Sequence, residues 1–348
     1  VPIKVLIIDD SVLMRTLLTE VINVAPDIEV VGAAPDPIAA REMIKALNPD
    51  VLTLDVEMPK MDGIEFLSRL MKLRPMPVIM ISSMTARGSE VTLQALELGA
   101  VDFVAKPQAE NISQLQGYGD EIRDKIRAAF IAPRRRTQHS LAMTTSHETA
   151  GQLPSRCLTE KVIALGASTG GTEAIKSFLT ALPAEMPPIV MVQHMPETFT
   201  PSFAQRLDTL SRLTVVEVKG GEKLSPGYAY LAPGHSHLLV RRQGSGYVTE
   251  LSRADPVNRH RPAADVLFRS VAAEVGKNAL GVILTGMGRD GAQGLLEMHN
   301  AGSWNIGQDR ESCVVYGMPR AAAELGALDD VASLSEIPAH LLARLRKG

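Results

Sequence analysis

Val162-Ile-Ala-Leu-Gly-Ala-Ser168-Thr-Gly-Gly171 is an apolar run that stops abruptly at a serine flanked by glycines. The run reads as a buried strand. Gly166, Ser168 and Gly170 satisfy the G-x-S-x-G spacing, in which a strand turns sharply into a helix and leaves a serine hydroxyl exposed at the turn. A helix is predicted over Glu173 to Leu182. The same glycines also suit a turn that binds phosphate or has no chemical role, so the rest of the chain must decide. Two more apolar runs, Ile189 to Val192 and Ala279 to Leu284, are followed by Gln193-His194 and by Thr285-Gly-Met-Gly-Arg-Asp290-Gly. If the three runs are parallel strands, the residues that follow them emerge at one sheet edge, where α/β sites form.

Ser168, His194 and Asp290 then make a triad. A neutral serine is a weak nucleophile, so a histidine must take its proton and a carboxylate must fix the imidazole tautomer and stabilise the imidazolium. Backbone N–H groups of Thr169 and Met287 are the expected oxyanion donors. The order Ser, His, Asp differs from the Ser, Asp, His order of α/β-hydrolases, so the pattern does not assign that fold. Asp290 directly precedes a predicted helix from Ala292 and has an alternative role as its N-cap; Asp265 and Asp309 are the rival carboxylates. His235 and His237 alternate on one predicted strand face without a carboxylate or cysteine to complete a metal set, which favours a structural role. His260 sits in the loop Asn258-Arg-His-Arg-Pro262 and is expected to line a cleft, with Arg259 or Arg261 available to an acidic substrate surface.

Residues 1 to 130 carry a different pattern. Strands are predicted at Ile3 to Ile8, Ile28 to Ala34, Val51 to Val56, Val78 to Ser82 and Val101 to Ala105, alternating with helices, the last from about Ser113 to Phe130. Five such repeats imply a doubly wound parallel sheet. Asp9 and Asp10, Asp55, Ser82 and Lys106 stand at or just beyond strand ends. Three crowded carboxylates repel one another unless a cation lies between them, and hard oxygen ligands at a sheet edge suit Mg²⁺. A lysine and a hydroxyl beside that metal would complete a site for phosphate.

The 348 residues suffice for two domains: 1–130, a linker over 131–156 that includes Pro133-Arg-Arg-Arg136, and 157–348 as a second α/β parallel-sheet domain. The linker lacks a sustained hydrophobic period. A net charge of −3 and 4% aromatic residues argue against nucleic acid as a partner. Cys157 and Cys313 lack metal-ligand or C-x-x-C spacing and read as free thiols in a reducing compartment. No apolar run reaches membrane-spanning length, so a cytoplasmic monomer without membrane insertion is expected.

Through Asp9-Asp10, Leu54-Asp55-Val56-Glu57-Met58-Pro59, Ser82 and Ala105-Lys106-Pro107, the first domain resembles the receiver domain of two-component response regulators. The resemblance implies that a chemotaxis histidine kinase phosphorylates Asp55. It also implies that Asp10, Asp55 and the backbone carbonyl of Glu57 ligate Mg²⁺ with Asp9 in support, and that Ser82 and Lys106 contact the phosphoryl oxygens. Phe103 matches the aromatic switch position. Gly166-Ala-Ser-Thr-Gly-Gly-Thr172, Gln193-His-Met-Pro196, His260-Arg-Pro262, Leu284-Thr-Gly-Met-Gly288, Arg289-Asp290-Gly291 and Val315-Tyr-Gly-Met-Pro319 are similar to the catalytic domain of the chemotaxis protein-glutamate methylesterases. That resemblance implies a Ser-His-Asp hydrolase acting on γ-glutamyl methyl esters, and on selected glutamines, of methyl-accepting chemotaxis receptors. A receiver joined by a linker to a hydrolase can cover the active-site cleft, so the unphosphorylated receiver is expected to inhibit the hydrolase and phosphorylation to activate it, while the esterase chemistry is expected to need no cofactor. Trp304 departs from the pattern, where a smaller residue is expected. A phosphorylation-gated protease or amidase is the nearest alternative. A DNA-binding output domain is disfavoured, because residues 158–348 lack a basic helix-turn-helix pattern.

Overall fold

Strands buried on both faces read as continuous apolar runs, and the two sheets grow from such runs. The computed structural model describes residues 1–58, 63–107, 112–132 and 153–347. The chain divides into two units, Val1–Met143 and Thr144–Gly348.

In the first unit, β1 (Ile3–Ile8), α1 (Val12–Asn23), β2 (Ile28–Ala34), α2 (Pro37–Leu47), β3 (Val51–Asp55), α3 (Gly63–Leu73), β4 (Val78–Ser82), α4 (Ala86–Glu97), β5 (Asp102–Ala105) and α5 (Ile112–Ile131) follow in turn. The strands pair in the order β2-β1-β3-β4-β5, all parallel. Alternate residues of β1 face opposite sides, and Ile3, Val5 and Ile7 join Leu18 and Ile22 of α1 and Ile122 and Ile126 of α5 in one core. Local chemistry sets the helix starts: Ser11 accepts from the Met14 amide, and Asp36 accepts from the Ile38 and Ala39 amides with Pro37 at the first position. The sheet order reverses between β1 and β3, so the crevice at their carboxyl ends is the place for a ligand.

The second unit comprises α6 (Ser155–Glu160), β6 (Val162–Ala167), α7 (Gly171–Thr180), β7 (Ile189–Gln193), α8 (Thr200–Leu210), β8 (Thr214–Glu217), β9 (Tyr228–Leu231), β10 (His237–Gln243), β11 (Gly246–Ser252), α9 (Ala264–Glu274), β12 (Ala279–Ile283), α10 (Ala292–Asn300), β13 (Trp304–Gln308), α11 (Met318–Glu324), β14 (Asp330–Ala332) and α12 (Ile337–Lys347). Seven strands form a sheet in the order β14-β13-β12-β6-β7-β9-β8, every pair parallel. The three expected runs are its central strands, β12-β6-β7. From β6 the chain works outward through β7 and later returns to β12 on the other flank, which makes the β6–β12 boundary the switch point. The antiparallel pair β10–β11 stands apart as a hairpin.

Several boundaries differ from expectation. The helix after Ser168 starts at Gly171, two residues early, because the turn is shorter than the glycine run suggests. Of the expected linker, residues 133–152 lie outside the described residues; Ile131 closes α5, while Ser155 and Arg156 open α6. His235 precedes β10, so it does not share a strand face with His237. Both cysteines are buried and neither is in a disulfide. Trp304 begins β13, opposite Leu280 at the start of β12, and so stands at the sheet edge away from the triad.

Candidate active site

Ser168 follows β6 in a tight turn. The Gly171 amide donates to the Ser168 carbonyl at 2.6 Å, and Gly170 has φ 76° and ψ −1°, the third-position geometry of a type II turn that glycine adopts without cost. A Cβ on Gly170 would lie 2.6 Å from Val314 Cβ, and one on Gly171 would lie 2.1 Å from Gln193 Oε1. Gln193, at the end of β7, uses its amide to donate to the Ser168 and His194 carbonyls at 3.0 and 3.2 Å. The Ser168 amide donates to the Thr285 carbonyl at 3.0 Å. The serine is thereby held from both neighbouring strands.

These supports bring the three sequence-selected groups together. His194 Nδ1 lies 3.1 Å from Ser168 Oγ, and His194 Nε2 lies 2.8 Å from Asp290 Oδ2. Asp290 is buried and also accepts from the Ala264 amide at 2.6 Å, the Asp265 amide at 3.2 Å and Asn258 Nδ2 at 2.9 Å. Burial pushes its carboxyl up, but the hydrogen bond and charge of His194, with the Asn258 and Ala264 donors, hold it well below the ordinary carboxylate range. The ring stacks on His260, with centroids 3.7 Å apart and planes 13° apart.

The alternatives fall elsewhere. Asp290 does not cap α10, whose N-cap is Gly291; it caps the start of α9 instead. Asp265 accepts from the Gly294 amide at 2.7 Å and from Asn258 at 2.7 Å, while Asp309 accepts from Ser312. His235 Nδ1 meets Ser236 Oγ at 2.7 Å, and buried His237 bridges the Asp255 carbonyl and the Ala263 amide. Of the two expected oxyanion donors, Thr169 is buried beside the serine with its carbonyl accepting from Thr285 Oγ1, and Met287 is half-buried in the loop after β12. In the sequence Asn258 stands only as a loop residue, and nothing there assigns Gln193 or Thr285 a task. Their roles depend on contacts across the chain, and only the Gln-His adjacency was visible beforehand.

In the first unit, oxygens of Asp9, Asp10 and Asp55 all lie within 4.8 Å of one another. Lys106 Nζ reaches Asp55 Oδ2 at 2.8 Å and Asp9 Oδ2 at 3.8 Å. Burial first, then the Asp55 charge, raises the Asp9 carboxyl to about 6, and burial also raises Asp55. Burial pulls Lys106 down, but its bond to Asp55 and the nearby carboxylates outweigh that and hold it up. Asp9 Oδ2 is buried without a hydrogen-bond donor, while Asp10 is exposed. A spare acceptor behind an open carboxylate fits a hard, partly hydrated cation such as Mg²⁺. The Glu57 amide donates to Asp55 Oδ1 at 3.2 Å. Ser82 Oγ is turned toward α4, accepting from Thr92 Oγ1 at 2.7 Å and meeting the Gly88 carbonyl at 3.3 Å. Phe103 is buried, with Lys125 Nζ 5.2 Å from its ring centroid.

Residues 163–341 match the family described as CheB methylesterase, and residues 5–115 match the response regulator receiver domain. The chain belongs to the CheB methylesterase family. A protein-glutamate methylesterase/protein-glutamine glutaminase of Nitrosomonas europaea is 61% identical over 345 residues, covering 99% of this chain and 96% of that relative. The enzyme of the same description from Methylobacillus flagellatus is 59% identical, with coverages of 99% and 97%. The crystal structure of the Thermotoga maritima CheB methylesterase catalytic domain is 40% identical, covers 53% of this chain and 99% of its own, and superposes with a TM-score of 0.52. As a CheB-family chain with a receiver, it has the two-domain α/β architecture expected from the sequence. Among the described residues, no helix is long and apolar enough to cross a membrane.

Proposed function

We propose that this chain is a serine esterase that removes methyl groups from γ-glutamyl methyl esters of chemotaxis receptors, and deamidates glutamines at equivalent sites, under control of its receiver. The hydrogen-bonded series Ser168 Oγ, His194 Nδ1, His194 Nε2 and Asp290 Oδ2 carries this reading. Ser168 Oγ attacks the ester carbonyl as His194 Nδ1 takes the hydroxyl proton, and Nε2–H remains on Asp290, which stabilises the imidazolium. The Thr169 and Met287 amides receive the developing oxyanion. His194 returns the proton to the departing methoxide, releasing methanol, and water then cleaves the acyl-serine by the same proton path to give glutamate. An amide substrate differs only in releasing ammonia. The relatives' shared name, which covers both activities, supports this pairing.

Asp55 is the proposed phosphoacceptor for a chemotaxis histidine kinase, with Lys106 and Ser82 as the groups that meet the phosphoryl oxygens. Asp10, Asp55 and the Glu57 carbonyl, backed by Asp9, would hold Mg²⁺, which neutralises charge around the incoming phosphoryl group. The esterase chemistry itself needs no cofactor. Phosphorylation adds about 1.5 to 2 negative charges and relieves inhibition exerted by the resting receiver. A tenfold activation requires only about 1.4 kcal/mol of bias. We further propose that the enzyme acts in the cytoplasm as a monomer, a reading with which a triad drawn from one chain is compatible. The test is covalent labelling with a fluorophosphonate: one adduct on Ser168, absent from Ser168→Ala and slowed in His194→Ala, is expected. An adduct that persists in Ser168→Ala would remove Ser168 as nucleophile.

A further inference from the structure

Asp265, another buried carboxylate, lies one amide group away from Asp290. The Asn258 side-chain nitrogen donates to Asp265 Oδ2 at 2.7 Å and to Asp290 Oδ1 at 2.9 Å, so both its N–H bonds go to carboxylates. The backbone that presents it is unusual. Val257 and His260 exchange both backbone hydrogen bonds, at 3.0 and 2.9 Å, around Asn258 with φ 53° and Arg259 with φ 69°. Two successive left-handed residues make a type I′ turn. Asparagine tolerates that conformation, but a long arginine does so at a cost, and such strain persists where the surroundings fix the backbone. The same turn places His260 on the face of His194.

We propose that Asn258 is a positioning residue for the esterase reaction: it clamps Asp290 to Asp265 and fixes the carboxylate plane in which Asp290 receives His194 Nε2. The inference rests on the triad reading above. With Asn258 in place, Asp290 Oδ2 takes His194 and Ala264 while Oδ1 takes Asp265 N and Asn258, so rotation about its terminal bond is opposed from both oxygens. A neutral amide achieves this without cancelling the negative charge that the imidazolium needs, as a lysine or arginine there would. Burial, with the Asp290 charge contributing, also raises the Asp265 carboxyl. That fits a second carboxylate held close by a donor rather than by a cation. The charged and titratable groups around Asp290 are His194, His260, Asp265 and Arg269, with Arg259 and Arg289 adjacent in sequence.

Asn258→Gly removes the amide while keeping a residue at ease with positive φ. The full chain without phosphodonor is assayed for methanol release from methylated receptor membranes, per active serine counted by fluorophosphonate labelling to completion. The expected result is a kcat lower by roughly ten- to a hundredfold, with KM within about twofold. The acid limb of kcat/KM is expected to move to higher pH by about half a unit, because Asp290, sharing its charge with one donor fewer, holds the imidazolium more tightly. Asp265→Asn, which loosens the other end of the clamp, should lower the rate by less, and it should move the limb to lower pH because a negative charge near the imidazolium is lost. A parental rate with an unmoved limb in Asn258→Gly overturns the proposal. If that variant does not fold, a parental rate and limb in Asp265→Asn overturns it instead. Ser168→Ala runs alongside: methanol release there defeats the triad reading, whereas parental behaviour confined to the Asn258 and Asp265 variants defeats only the clamp.

Discussion

The Asp290 carboxylate accepts the backbone N–H of Ala264 at 2.6 Å with the same oxygen that faces His194. Ala264 is the first residue of α9, whose own N-cap position, Ala263, offers no side-chain acceptor. One carboxylate therefore orients the His194 ring, the proposed base, and closes a helix from a distant part of the chain. A charge at a helix N-terminus is stabilised by the exposed amides there, so the proposed catalysis and the packing draw on the same group.

Asp290→Asn should therefore damage both. An amide has one acceptor oxygen where four donors converge, and its NH₂ would face N–H groups. A fall in kcat of about 10⁴-fold is expected by comparison with triads generally, with about 1–3 kcal/mol lost from the catalytic unit, read by urea unfolding. The pH dependence follows in sign. Because the folded Asp290 is held below its ordinary value of 3.8, its contribution is present above that pH and lost as pH falls through the folded value. The Asn variant should lack that acid-side loss.

Asp9 predicts the opposite slope in the receiver. Burial and the Asp55 charge raise it from 3.8 to about 6, so the folded state binds its proton more tightly. Its ionisation disfavours folding above about pH 6, a penalty that fades as pH falls from about 6 toward 4. Asp9→Asn should stabilise the receiver at pH 7 by roughly 1–3 kcal/mol and shrink the rise in melting temperature that Mg²⁺ produces. Scanning calorimetry with and without Mg²⁺ checks both; a less stable variant, or an unchanged Mg²⁺ effect, contradicts them.

Gly171→Ala should disable the serine turn without touching a reacting atom. Its Cβ would meet Gln193 Oε1 at 2.1 Å and Ala167 Cβ at 2.8 Å, forcing away the amide that holds the Ser168 and His194 carbonyls. Fluorophosphonate labelling of Ser168 should slow by at least about tenfold, with a modest loss of stability. Labelling at the parental rate would show that Gln193 does not govern the serine's placement.

Thr92→Val removes the hydroxyl that meets Ser82 Oγ at 2.7 Å. About 1 kcal/mol of receiver stability should be lost. Freed from Thr92, Ser82 should also let Asp55 take phosphoryl from a small-molecule donor up to about fivefold faster, read from phosphoprotein formed over time. A slower uptake would mean that Thr92 supports the reactive arrangement and does not restrain it.

The contrast between strands explains what the sequence could disclose. β6, β7 and β12 are unbroken apolar runs because both faces are covered, and they lead directly to Ser168, His194 and Asp290. β13 hides behind buried polar residues: Asn305 donates to the Leu295 and Ala327 carbonyls, and Gln308 accepts from the Thr285 amide. Those side chains are satisfied only by tertiary partners, and the three-residue β14 is too short to show a period. Asp290 next to α10 suggested a local cap, yet its donors come from Ala264, Asp265 and Asn258, more than twenty residues away. Asn258 itself gave only the signal of a polar loop. Its own left-handed conformation and that of Arg259 become visible only with the backbone.

The central claim is a receiver-controlled serine esterase built on Ser168. Its most direct test is methanol release from methylated receptor membranes by the intact chain and by Ser168→Ala, each with and without a phosphodonor and Mg²⁺. Release that rises with the phosphodonor in the parent and is abolished in Ser168→Ala is the expected result. Release that survives the Ser168 substitution would contradict it.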